Sequence, residues 1–404
     1  MEGMVARILK PLLEEALKNR TSIFLLGPRQ TGKTTIVSDV FRSIPHLALN
    51  LMETRERLKF ERDPSLIIRE AEAAGTDFVF IDEVQKIPDL LDNVQVMIDR
   101  HNTVFALTGS SARKLRRANA NLLPGRVLSY RMDPLSIQEY RNLMKWDAPR
   151  GLEDILKYGE LPKPLTMILD GRRKAAEEWL YSYVTTYLEE EIRAESLVRK
   201  MGIFSRFLKL AAGESGRLVS FRAMSQDIGI PHTTISEYYQ ILEDCLVAER
   251  IEPLIPAGER GKVRKASKFL FFDTGVLNAA AEVLGPADLP AESWGRLFEQ
   301  WIGLTILRFL RSSGTRGRLF YWRDYGGREI DWVIEHGDAW IPVEVKWGEN
   351  IKPGSTRHLE YFLKAYPIKA RKGFVVFTGR RSRKIDDNIT ALTPAELPET
   401  LFYQ

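Results

Sequence analysis

The chain has 404 residues, of which 44% are hydrophobic and 28% charged, and a net charge of +5 that suits an acidic partner without requiring one. Its one cysteine, Cys245, excludes an internal disulfide, and one cysteine with five histidines argues against a structural zinc site. No apolar run approaches the roughly 20 residues of a membrane-spanning helix, and no signal-peptide stretch opens the chain, so a soluble cytoplasmic protein with no membrane partner is expected.

In chain order, Val5, Ile8, Leu9, Leu12, Leu13 and Leu17 recur at helical spacing over residues 4–18. Residues 23–26 read as a short buried strand and residues 35–41 as a helix. Between them stands Gly27-Pro28-Arg29-Gln30-Thr31-Gly32-Lys33-Thr34, a G-x-x-x-x-G-K-[ST] pattern, followed by Thr35. Such a loop points backbone N–H groups at a phosphate, and glycine permits the close approach. Lys33 is then expected on the β- and γ-phosphates, the Thr34 hydroxyl on Mg²⁺, and the helix N-terminus behind the anion.

The fully apolar residues 78–81 suit a parallel strand buried on both faces. They end in Asp82-Glu83, beside the phosphate loop if the sheet is doubly wound. Asp82 is expected to hold Mg²⁺ through water, and Glu83 to act as general base on the attacking water. A third strand, 104–107, ends in Thr108-Gly109-Ser110-Ser111. Thr108 and Ser110 both qualify to orient the water, with Ser110 preferred. Arg113, Arg116, Arg117 and Arg126 follow. Arg126 is the preferred arginine for transition-state charge, acting in cis or from a neighbouring copy.

These motifs, with Gly125-Arg126 and Pro134-Leu135-Ser136, occur in an order that resembles the archaeal and bacterial AAA+ ATPases with an AAA_14-type N-terminal domain and a C-terminal DUF4143 domain. The resemblance spans nearly the whole chain. It implies ATP and Mg²⁺ as ligands and an AAA+ core followed by a winged helix and a nuclease-like fold.

Residues 150–200 read as helical, with Trp179, Tyr183, Tyr187 and Ile192 at core spacing. Tyr183, Tyr187 and Glu190 resemble the family's signature helix. Helices are expected over 203–212, 221–228 and 232–246, with a Gly229-Ile230-Pro231 turn before the third: a helix-turn-helix. The third helix offers His232, Thr233, Thr234, Ser236, Glu237 and Gln240, with no Lys or Arg. Arg260, Lys262, Arg264, Lys265 and Lys268 are the better candidates for DNA phosphate.

Further on, residues 294–310 read as a helix bearing Glu299, and residues 318–322, 329–334 and 340–345 as strands. Asp331 and then Glu344-Val345-Lys346 give D-x12-E-x-K, with Glu344 and Lys346 on one strand face. Two carboxylates bind Mg²⁺ and a lysine stabilises charge. The arrangement resembles the restriction-endonuclease-like PD-(D/E)xK fold, with Glu299 as an added group. A helix over 356–365, a strand over 373–378, and a basic patch of Arg380, Arg381, Arg383 and Lys384 close the chain.

The expectation is an α/β chain of four segments: a P-loop AAA+ parallel-sheet core at 1–145, a helical arm at 146–200, a winged helix at 201–258 and a PD-(D/E)xK nuclease-like domain at 259–404. The expected function is ATP hydrolysis that switches or couples the C-terminal half. The alternatives are an ATP-coupled Mg²⁺-dependent DNA-processing nuclease, and a nucleotide-binding assembly protein without significant turnover. ATP is the expected partner, with DNA and a second copy of the chain as further candidates.

Overall fold

The computed structural model describes residues 5–111, 123–141, 148–188, 201–258, 266–285 and 289–402. The chain divides into two compact units, residues 1–135 with 241–247, and residues 136–240 with 248–404. The three segments expected after the ATPase core therefore fall mainly within one unit.

The first unit is built on five parallel strands: β1 (Ser22–Leu26), β2 (Leu47–Asn50), β3 (Phe78–Asp82), β4 (Val104–Gly109) and β5 (Val127–Arg131). Their spatial order is β2-β3-β4-β1-β5. β1, β3 and β4 are central and read as continuous apolar runs, because both of their faces are covered. On one face Phe24, Ile81, Phe105 and Leu107 pack with Leu90, Leu91 and Val94 of the helix Leu90–His101. On the other, Ile23, Leu25, Phe80 and Ala106 pack with Leu13 and Leu17 of the helix Lys10–Lys18 and with Ile36 and Val37 of the helix Lys33–Val40. The first helix starts later than its apolar pattern, with Pro11 in its first turn.

The second unit opens with helices at Ala148–Tyr158, Pro162–Leu169 and Arg173–Ser182, ending in a π-helical stretch at Tyr183–Leu188. Tyr183 is buried, stacked on Trp179. Arg308 and Glu160, both buried, form an ion pair, and Tyr140 Oη donates to Glu160 at 2.8 Å. Buried charge on this scale requires such pairing.

Helices Met201–Gly213, Phe221–Ile228 and His232–Asp244 follow, the last two joined by Gly229 in the left-handed region. Ring contacts among Phe204, Phe207, Tyr238, Tyr239 and Phe269 form an aromatic core. Strand β6 (Ala248–Ile251) pairs antiparallel with β7 (Lys268–Phe271).

The rest of this unit carries a six-stranded mixed sheet. Its strands are β8 (Gly317–Arg323), β9 (Glu329–His336), β10 (Ala339–Lys346), β11 (Gly373–Phe377), β12 (Arg383–Lys384) and β13 (Ile389–Leu392), in the order β12-β13-β11-β10-β9-β8. The β9–β10 hairpin turns at Gly337-Asp338. Leu359 and Phe362 of the helix Arg357–Ala365 pack against Trp322, Ile330 and Val333. No helix among the described residues is long and apolar enough to cross a membrane.

Candidate functional site

The loop after β1 turns tightly against the end of β5. A Cβ on Gly27 would lie 2.3 Å from the Met132 carbonyl oxygen, so only glycine fits there. Gly32 sits at φ +95°, in the left-handed region, directly before the helix that starts with Lys33. The Lys33 side chain is 5% exposed, and its ammonium donates to Gly27 O at 3.0 Å and Pro28 O at 3.1 Å. Its charge is thus already held over the loop, 3.9 Å from Glu83 Oε1.

At the carboxyl end of β3, Thr34 Oγ1 donates to Asp82 Oδ2 at 2.8 Å. Thr108 Oγ1 donates to Asp82 Oδ1, and Glu83 N donates to Thr108 Oγ1 at 3.0 Å. Thr108 therefore fixes the acid pair. Ser110 Oγ donates to Glu83 Oε2 at 2.9 Å, and Gln85 Nε2 reaches both Glu83 and Ser110. Glu83 itself has φ +59°, a strained backbone of the kind that gathers at functional sites. Lys33, Thr34, Asp82, Glu83 and Ser110 thus meet at one end of the sheet.

Two further residues support the site. Arg7 donates from Nη1 to Thr31 O at 2.8 Å and from Nη2 to Asp133 O at 2.7 Å, tying the loop to the segment after β5. Gln85 bridges Glu83 and Ser110. Arg7 carries no sequence signal, whereas Gln85 closes the motif run Ile81-Asp82-Glu83-Val84-Gln85.

Arg126 lies elsewhere. It precedes β5, whose Val127 pairs with Ser22 at the start of β1, whereas Arg131 pairs with Leu26 beside the loop. Five residues of strand, roughly 16 Å, separate it from the phosphate edge. Its guanidinium is engaged by Asp99 at 2.7 and 2.9 Å. Arg126, expected to act in cis or from a neighbouring copy, is therefore not brought to the phosphate edge of its own sheet. Arg113, Arg116 and Arg117 lie outside the described residues.

The second cluster stands where β9 and β10 meet the helix Ala291–Ser312. The β8–β9 register shifts by one residue between Phe320 and Trp322, so Asp331 and Trp332 share the place opposite Tyr321. Such a bulge re-aims side chains. Asp331 Oδ2 accepts from Val345 N at 2.7 Å, and Lys346 Nζ donates to Glu344 Oε1 at 2.8 Å. Glu299, Asp331, Glu344 and Lys346 are near enough to act on one another electrostatically. Burial first, and the Asp331 carboxylate second, push Glu344 up to about 8.

Lys268 corrects the sequence reading. Its basic run suggests contact with DNA phosphate, but it is buried, 3.0 Å from Glu299 Oε1 and 2.9 Å from Glu329 Oε1. Arg260, Lys262, Arg264, Lys265 and Glu190 lie outside the described residues. In the last basic patch, Lys384 pairs with Asp387 at 2.7 Å and Arg383 covers the Phe377 ring. On the helix His232–Asp244, His232, Thr233, Glu237 and Gln240 are exposed, while Thr234 and Ser236 are half-buried.

Comparison with known proteins bears on the domain that carries the first site. Residues 19–141 match the model of the AAA domain family; residues 150–287 and 294–397 match two domains of unknown function, DUF8612 and DUF4143. An uncharacterised protein of Mycobacterium tuberculosis is 25% identical over 387 residues, covering 95% of this chain and 82% of its own length. One from Methanocaldococcus jannaschii is 24% identical, covering 91% of this chain and 84% of its own length. Among solved structures, the Walker-type ATPase PABY2304 of Pyrococcus abyssi superposes with a TM-score of 0.50 at 17% identity. It covers 69% of this chain and 96% of that one, a likeness of fold.

Proposed function

We propose, of this member of the AAA ATPases that carry a C-terminal DUF4143 domain, that residues 27–35 with Asp82 and Glu83 bind and hydrolyse ATP, and that hydrolysis switches the second unit. The observation that carries the reading is the Thr34–Asp82 hydrogen bond at the carboxyl edge of a parallel sheet, beside a lysine held in a glycine-flanked loop. The donors fit the ligand. Gly27 lets the loop pack directly on the Met132 carbonyl, Gly32 takes the left-handed turn that starts the helix, and the Thr34 hydroxyl and Asp82 carboxylate bring oxygens together at its end.

In this mechanism Lys33 exchanges its loop carbonyls for the β- and γ-phosphate oxygens. Thr34, and Asp82 through water, would hold Mg²⁺, which when bound neutralises phosphate charge. Glu83 orients the attacking water and takes its proton, while Ser110 and Gln85 set the direction of that carboxylate. Thr108 keeps Asp82 and the Glu83 backbone in place. Most of the rate comes from positioning and charge stabilisation.

The segments proposed for the rest are a helical arm at 146–200, a winged helix at 201–258 and a nuclease-like fold at 259–404. The helix–turn–helix run followed by β6 supports the second, and the mixed sheet with Asp331, Glu344 and Lys346 on one hairpin supports the third. The test of the main reading is phosphate release by the purified chain with Mg²⁺ and ATP. Turnover is expected to be lost in Lys33→Ala and strongly lowered in Glu83→Gln. No affinity for adenine nucleotides in the native chain would sink it.

A further inference from the structure

A metal-dependent nuclease site needs carboxylates gathered on one ion. Four carboxylates approach each other here, but each already has a partner. Lys268 takes Glu299 and Glu329, Arg323 takes the other Glu329 oxygen at 3.2 Å, Lys346 takes Glu344, and the Val345 N–H takes Asp331. Among the described residues, no three His, Cys, Asp or Glu side chains stand together as a metal cage. The residues present do not fit a resident divalent cation.

Lys268 is the group that decides this. Its side chain is 3% exposed, and its ammonium lies 5.2 Å from the ring centroids of both Tyr321 and Trp332. A buried ammonium is costly unless it is paired and enclosed, and a lysine is normally free to reach solvent along its flexible stem. Here it arrives from β7, outside the sheet that carries the acids, and ends between two of them and two aromatic faces. The charges point the same way. Lys268, Lys346 and Arg323 supply three positive charges against Glu299, Glu329, Asp331 and Glu344. The deficit is one charge, which a proton meets and a dication exceeds. Glu344 Oε2 is buried with no hydrogen-bond partner among the described residues, the natural seat for that proton.

We propose that Lys268 is the resident cation of this acid cluster: its ammonium takes the place in charge that a divalent ion would take, and it draws Glu299 out of any metal set. The cluster is then a lysine-filled fastening between β7, the helix Ala291–Ser312 and β9, and the native chain holds no divalent ion there.

The test is Mn²⁺ binding followed by the electron paramagnetic resonance of free Mn²⁺, on the full chain without nucleotide. The Asp82→Asn background removes the metal ligand of the ATP site. Asp82→Asn protein is expected to show no stoichiometric Mn²⁺ site that Glu344→Gln removes. Adding Lys268→Met is expected to create one, at least about tenfold tighter than the background, and Glu344→Gln is expected to abolish it. A stoichiometric Mn²⁺ in the Asp82→Asn protein that disappears with Glu344→Gln overturns the proposal. So does a folded Lys268→Met variant, checked by circular dichroism, that gains no site. Should Lys268→Met fail to fold, the comparison of Asp82→Asn with Asp82→Asn/Glu344→Gln decides alone.

Discussion

The Thr34 hydroxyl donates to the Asp82 carboxylate at 2.8 Å, across 48 positions of sequence. Parallel pairing of β3 with β4 and of β4 with β1 is what makes that contact, since it brings the end of β3 to the edge where the glycine loop turns. Both groups offer oxygen to the same point, and Lys33 approaches from the loop.

Lys33→Ala should weaken ATP binding by at least about 100-fold, or about 2.8 kcal/mol, with little change in melting temperature. The Lys33 ammonium bonds the carbonyls of its own loop and lies 3.9 Å from Glu83, so its loss removes ligand charge more than fold stability. Fluorescent-nucleotide titration checks the first part and a thermal melt the second.

Glu83→Gln should retain nucleotide binding and lower turnover by about 10²–10⁴-fold, the range for a positioned general base. Ser110→Ala should lower turnover less, because Gln85 still reaches Glu83. Steady-state phosphate release at saturating ATP separates the two. Equal losses in both variants would contradict the assigned roles.

Arg7→Ala should raise the nucleotide dissociation constant about tenfold, about 1.4 kcal/mol, although Arg7 lies outside every motif. Its guanidinium holds Thr31 O and Asp133 O, and charge-assisted bonds of this kind contribute roughly 1.5–3 kcal/mol. The measurement is nucleotide affinity beside the melting temperature. A variant with lowered stability and unchanged affinity would reduce Arg7 to a fold-holding role.

Stability should fall as pH rises through about 8, because burial and the neighbouring Asp331 hold the Glu344 carboxyl up to that value. A carboxyl raised above its unfolded value contributes stability that is complete below the unfolded pKa and lost as pH rises through the folded one. Lys346, Asp331 and Glu299 face the same group, so the transition belongs to the cluster. Glu344→Gln, which mimics the protonated form, should flatten the melting-temperature profile between about pH 4.5 and about pH 8. An unchanged slope would show that the proton sits elsewhere.

Arg308→Met should cost roughly 3–5 kcal/mol, because it leaves the Glu160 carboxylate buried without its cation. Glu160→Gln/Arg308→Met should recover part of that loss. Thermal melts of the three proteins read the difference.

The phosphate loop could be read in the sequence because its cradle is local. Its shape depends on consecutive residues and on the glycines among them, and the same holds for an acid pair that ends an apolar strand. β2 and β5 could not be read that way. They are the sheet's two edges, partly exposed, and they lack the unbroken apolar run that marked β1, β3 and β4. Charged residues were the least legible. Lys268 in a run of basic residues looks solvated, Arg126 looks free to reach a phosphate, and Arg7 looks like one helix residue among others.

By itself the sequence determined the nucleotide motif, the acid pair, the turn before the helix His232–Asp244 and the hairpin that carries Asp331 and Glu344. Tertiary structure alone decided which edge Arg126 occupies, that Arg7 braces the loop, and that Lys268 lies between Glu299 and Glu329. The physical reason is that a charged side chain's effect depends on what surrounds it. Strand pairing and burial set those surroundings, and they join residues that are far apart along the chain.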